Sequence, residues 1–113
     1  EDMFIIEQDL IIKGVIKDIT KKVPIGIISL KFHNAVCVMI KDVCRLLRKK
    51  YNIDRVCLSG GVFQNRYLNE NVRLILEKDK FKVYLHSKVP THDGGIALGQ
   101  AVLAVNNTDV GER

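Results

Sequence analysis

A chain of 113 residues with 47% hydrophobic and 27% charged residues is long enough to bury a core, and too apolar for a disordered segment. Its net charge of +5 and pI near 9.2 permit an anionic partner without requiring one. Lys or Asp interrupts every apolar run short of the roughly 18 residues of a membrane span, so no membrane role and a soluble protein are expected.

The opening EDMFII carries no basic n-region and no cleavage site, which predicts no secretion and reads as a start within a longer protein. Met3 to Ile6 is apolar enough to add a strand. Leu10, Ile12, Val15, Ile16 and Ile19 then recur at helical spacing, predicting an amphipathic helix over about Gln8 to Lys21. Val23-Pro24 breaks it, and a second helix is expected from near Pro24 towards Tyr51, with Phe32, Val36, Met39, Ile40, Val43 and Leu47 as its apolar face and Asn52 as its stop. Arg45, Arg48, Lys49, Lys50 and Arg55 cluster at that helix end, where cations suit the negative pole of the dipole. No aromatic side chains are interleaved for base stacking, which disfavours a nucleic-acid surface.

At Arg55 to Leu58 the period changes to a short β-branched strand ended by glycines. Helical spacing returns at Leu68, Val72, Ile75 and Leu76, up to about Asp79. Lys82 to Leu85 reads as a second buried strand, and a last helix follows Asp93. This alternation implies parallel strands joined by helical crossovers, an α/β layered domain. Two strands make a poor sheet, so further strands from a missing part of the protein or from a second copy are expected. The three cysteines, Cys37, Cys44 and Cys57, cannot all pair, show no CxxC spacing and lie in apolar surroundings. They are expected as buried free thiols in a reducing compartment, hence a cytoplasmic protein.

Both glycine pairs, Gly60-Gly61 and Gly94-Gly95, open a helix, and the first follows a strand, at the end of an α/β sheet where ligands bind. Glycine allows positive φ and close backbone approach, and free N–H groups attract phosphate, so a nucleotide is the natural ligand. A tight strand-to-helix turn would account for the glycines equally well. Neither GxxxxGK[ST] nor GxGxxG is present, which excludes a Walker loop and disfavours a dinucleotide turn. Asn65 and Gln64 can cap the helix or offer an amide to the ligand. Asp93 stands at an N-cap position and is alternatively a metal ligand, with His92 beside it and His86 nearby. No HxxxH pair accompanies them, and His33 and His86 read best as hydrogen-bonded structural residues. Gly99 within the last helix implies close helix packing. No GxSxG surrounds Ser59 and no carboxylates pair at catalytic spacing, so the chain shows no self-contained nucleophile or acid/base pair.

Three ordered strings, SLKFHNAV at 29–36, LSGGVFQNRYL at 58–68 and HSKVPTHDGGIALGQAVLA at 86–104, resemble the C-terminal end of the hydrogenase-maturation carbamoyltransferases, the HypF family. The lobe is also similar to that of the tRNA threonylcarbamoyl transferases, which differ after GGV and around the Asp. The resemblance implies an incomplete second lobe of an actin-like, ribonuclease H-like ATPase domain, with a short parallel sheet and flanking helices. Residues 1–113 would form the C-terminal part of the terminal domain.

It further implies a chemistry. Carbamoyl phosphate is hydrolysed in an acylphosphatase-like domain, carbamate is adenylated with ATP to carbamoyladenylate, and the carbamoyl group passes to the C-terminal cysteine of a HypE-like partner to become a cyanide ligand of hydrogenase iron. By motif position Gly60, Gly61, Asn65 and Gly94 would line the nucleotide site. Asp93 would ligate a divalent metal: zinc, iron or magnesium. This chain has His92 where the family usually has Asn, and the histidine pair that completes the metal site in relatives is not among its residues. The fragment alone is therefore expected to be inactive and to bind metal weakly. The competing readings are a non-catalytic module whose apolar surplus serves a partner or self-association, and a tRNA threonylcarbamoyl transferase relative whose basic residues would touch RNA.

Overall fold

A computed structural model describes residues 3–108. The first helix, α1, spans Asp9–Thr20, and the second, α2, Ile25–Tyr51. Pro24 opens α2 with φ −53°, suited to a helix start, and Asn52 closes it in the left-handed conformation at φ 55°, its N–H donating to Arg48 O at 2.8 Å. Strand β1 (Arg55–Leu58) leads into a 3₁₀ turn at Gly61–Gln64 and helix α3 (Arg66–Lys78). Strand β2 (Lys82–Leu85), a second 3₁₀ turn at Asp93–Gly95 and helix α4 (Ile96–Thr108) follow. Met3 to Ile6 form no strand: Met3 and Ile5 are largely exposed, and the segment runs past α2 rather than along a sheet edge.

The two strands pair in parallel, Arg55 with Lys82 through to Leu58 with Leu85. The chain is thus an α/β unit with a two-stranded parallel sheet and flanking helices. Its core lies on one face of that sheet. Cys37 from α2, Leu68, Val72 and Leu76 from α3, Leu58 and Phe81 are buried together, with Val36, Ile40, Cys44, Val56 and Val83 packed around them. The stripe of α2 that meets α3 is therefore centred on Cys37, and Phe32 and Leu47, expected inside, are exposed.

Residues of a strand alternate between faces. With Leu58 in the core, Cys57 and Tyr84 fall on the uncovered side and are exposed, so Cys57 departs from the expectation of three buried thiols. Burial pushes the Cys37 and Cys44 thiols up from their ordinary range. Helix α4 is exposed from Ile96 to Asn107 although it is largely apolar, and a Cβ built on Gly99 would meet nothing within 4 Å, so the close packing expected of that glycine is not made among the described residues. The radius of gyration, 18.0 Å, exceeds the roughly 13 Å of a compact domain this size because α4 and α1 do not close over the sheet.

Two of the five cations in the basic cluster are paired with a carboxylate within the fold. Arg45 and Arg48 both clasp Asp79 at the end of α3, Arg48 also donates to Asp79 O at 2.7 Å, and its guanidinium lies 4.0 Å from the Phe81 ring centre. The hydrogen bond from Arg45, aided by both positive charges, holds the Asp79 carboxyl below the usual carboxylate range. A carboxyl whose pKa is lower folded than unfolded contributes stability above the unfolded value of about 4, and that contribution disappears as pH falls through the folded value. Asp79→Asn is accordingly expected to flatten the acid limb: between pH 6 and pH 3 its urea midpoint should fall less than that of the parent. An equal fall in both would show the clasp to be without effect.

Candidate functional site

Parallel pairing brings the C-terminal ends of β1 and β2 to one rim, and both glycine turns leave from it. Beyond Leu58 the backbone turns at Gly60, whose φ of 105° and ψ of 155° form a region open to glycine almost alone. Its N–H donates to Thr91 O at 2.8 Å, tying the first turn directly to the loop that carries the second. Phe63 N–H closes the first turn on Gly60 O at 3.1 Å. Gly61 has an ordinary φ, and a Cβ built there meets nothing within 4 Å. The fold of this chain gives no reason for glycine at that position, whereas close approach of a ligand would.

The second turn is capped by His92, not by Asp93 as the sequence suggested. His92 Nδ1 accepts from Gly94 N–H at 2.9 Å. An asparagine Oδ1 would stand at a similar reach from the backbone, so His92 performs here the capping that an Asn at this position would be chemically suited to perform. The bond also fixes the proton of the neutral ring on Nε2, which leaves His92 badly disposed to ligate a metal. A Cβ on Gly94 would meet the His92 ring at 2.7 Å, and one on Gly95 would meet Pro90 O at 2.8 Å. Freed from capping, Asp93 is exposed, and its carboxylate makes no hydrogen bond or ion pair among the described residues.

Asn65 is held differently. Its Oδ1 caps α3 by accepting from Leu68 N–H at 3.0 Å, and its Nδ2 donates to His33 Nε2 at 2.9 Å. His33 Nδ1 meets Ser29 O at 2.7 Å, and since a carbonyl only accepts, the imidazole proton sits on Nδ1 and Nε2 is free to receive the amide. His33 is the structural histidine expected from the sequence, joining α2 to the start of α3. Tyr67 stands edge-on to its ring and donates to Asn34 Oδ1. Beside these residues lies an open groove of about 280 Å³ lined by Gly26, Ser29, His33, Asn65 and Tyr67.

Two contributors escaped the sequence reading. Thr91 enters only through its carbonyl, which no side-chain pattern signals. Ser59 lacks the GxSxG setting of a hydrolase nucleophile, yet its Oγ lies 3.0 Å from His86 Nε2 at the same rim. Among the described residues no three His, Cys, Asp or Glu side chains converge on a metal position. Among the described residues no helix is long and apolar enough to cross a membrane.

Comparison with known proteins supplies the family. The family model for the second subdomain of the carbamoyltransferase Kae1-like domain matches residues 1–100. "Carbamoyltransferase HypF" of Synechocystis sp. is 31% identical over 80 residues, 71% of this chain and 10% of that protein. "Probable carbamoyltransferase HypF" of Methanocaldococcus jannaschii is 30% identical over 61 residues, 54% of this chain and 8% of that protein. The crystal structure of full-length HypF in its phosphate- and nucleotide-bound form matches with a TM-score of 0.88 and 46% identity, over 92% of this chain and 14% of that one. The chain therefore spans only a small part of the length of these relatives. On this agreement of sequence and fold, the chain belongs to the HypF carbamoyltransferase family, its match lying in the second subdomain of the Kae1-like domain.

Proposed function

We propose that this chain forms one wall of the nucleotide site of a carbamoyltransferase that uses carbamoyl phosphate and ATP, by way of carbamoyladenylate, to carbamoylate the C-terminal cysteine of a HypE-like protein. Gly60, Gly61 and Gly94 present backbone to the nucleotide, and Asn65 borders it at the start of α3. The observation that carries the reading is the hydrogen bond from Gly60 N–H to Thr91 O, which makes the two glycine turns one feature at the ligand end of the sheet. Gly60 N–H and Gly94 N–H are spent on Thr91 O and His92 Nδ1, so what the turns offer the phosphates is close approach of side-chain-free backbone.

Asp93 fits one position of a divalent cation, because an exposed carboxylate without an internal partner is an oxygen ligand in waiting. Such a cation, when bound, neutralises phosphate charge. Its remaining positions fall to water or to other parts of such a protein, since the described residues converge on none.

The exposed apolar side chains of α4 and α1, and the open sheet face around Tyr84, fit surfaces covered by the rest of a HypF chain. The isolated 113-residue chain is accordingly expected to self-associate, with a sedimentation coefficient that rises with concentration; monomeric behaviour across the range would count against buried docking faces. For the catalytic reading, Asp93→Ala in the complete polypeptide carrying this sequence is expected to slow carbamoyl transfer to the HypE-like cysteine roughly 100-fold while carbamoyl phosphate hydrolysis continues. Transfer at the parental rate would remove Asp93 from the site.

A further inference from the structure

We propose that Ser59 and His86 form an additional phosphate-binding element of this site, in which the imidazole orients the serine hydroxyl towards a nucleotide phosphate oxygen. The inference rests on the reading of the rim as a nucleotide site. Ser59 directly follows β1 and His86 directly follows β2, and because Leu58 pairs with Leu85, the two occupy the next rung beyond the sheet. Their Oγ and Nε2 atoms lie 3.0 Å apart. Both side chains are exposed, and an exposed neutral hydrogen bond contributes little to folding because water replaces it, so stability alone gives the pair little purpose.

Position gives it one. Ser59 immediately precedes Gly60, whose backbone is fixed by its positive φ and by its bond to Thr91 O, so the hydroxyl stands where the two glycine turns join. A serine has one proton to donate and can accept two hydrogen bonds. With the proton of neutral His86 on Nε2, the ring donates to Ser59 Oγ, and the hydroxyl proton is left for an acceptor on the ligand. An ionised phosphate oxygen accepts and has no proton to donate, so an arrangement that supplies an outward-facing O–H suits it. His86 is a positioning residue here, and Ser59 is the group that touches the ligand.

The test uses calorimetry on the complete polypeptide, with ATP and with adenosine as separate titrants. Ser59→Ala is expected to weaken ATP about tenfold, the scale of a lost hydrogen bond to a charged group, and to leave adenosine unchanged. His86→Leu should weaken ATP in the same selective way, and His86→Gln, whose amide nitrogen can donate at a comparable reach, should restore most of the affinity. Gly61→Ala reports on the site itself, because its new methyl has open space in the protein and can obstruct only what binds there. If Gly61→Ala weakens ATP and Ser59→Ala does not, the Ser59 role is overturned and the site stands. If neither variant changes ATP affinity, the site reading fails and the pair with it. Equal weakening of ATP and adenosine by Ser59→Ala, or failure of His86→Gln to recover affinity lost in His86→Leu, would also overturn the proposal.

Discussion

Leu76→Ala is expected to cost about 2–5 kcal/mol of folding free energy, measured as a lowered urea midpoint with little change in slope. Leu76 is fully buried in the last turn of α3, as is Val72 one turn earlier, and with Phe81 and Cys37 they fill the contact among α3, α2 and the sheet. Few other side chains are buried, so neighbours have little means of closing a cavity there. The loss should propagate to the rim, because α3 anchors the 3₁₀ turn through Asn65 and the strands through Leu58 and Phe81. Leu74, on the same helix but 56% exposed, is the internal control: Leu74→Ala should change stability by no more than about 0.5 kcal/mol. Comparable losses at both positions would contradict the packing described.

The second large effect is expected at Gly60, and its contrast with Gly61 makes it diagnostic. A side chain at φ 105° and ψ 155° costs about 1–3 kcal/mol, so Gly60→Ala should lower the melting temperature. Relief of that strain by backbone rotation would pull Gly60 N–H from Thr91 O and part the two turns, with loss of nucleotide affinity. Gly61→Ala meets neither strain nor contact and should melt like the parent, yet bind nucleotide more weakly. A stable Gly60→Ala variant with full affinity would show that the junction of the turns is dispensable.

Much of the fold was legible because it is local. The helical spacing of Leu10 to Ile19, the Pro24 break, the left-handed stop at Asn52 and the brief apolar runs 55–58 and 82–85 all appear where their residue chemistry predicted them. Order and parallel pairing followed from the alternation of those elements. The legible part of the site was the glycine that has to be glycine and the family strings around both turns. Met3 to Ile6 misled because apolar character does not make a strand without an edge to pair with. Phe32 and Leu47 misled because a long helix offers more than one apolar stripe, and only the partner selects which is buried.

What the sequence determined by itself was therefore element type, element order and the location of the two turns, all of which depend on nearest neighbours and short periodicities, together with the family, which three motif strings carried by resemblance. Whereas the cap of the second turn by His92 is a local choice between two neighbouring side chains, tertiary structure alone decided that Asn65 is shared between α3 and His33 and that His86 meets Ser59. Each of these is a choice among hydrogen-bond partners that a polar side chain could equally make elsewhere. Such choices are settled by distances of about 3 Å between residues up to 32 positions apart in the chain, and local sequence carries no record of them.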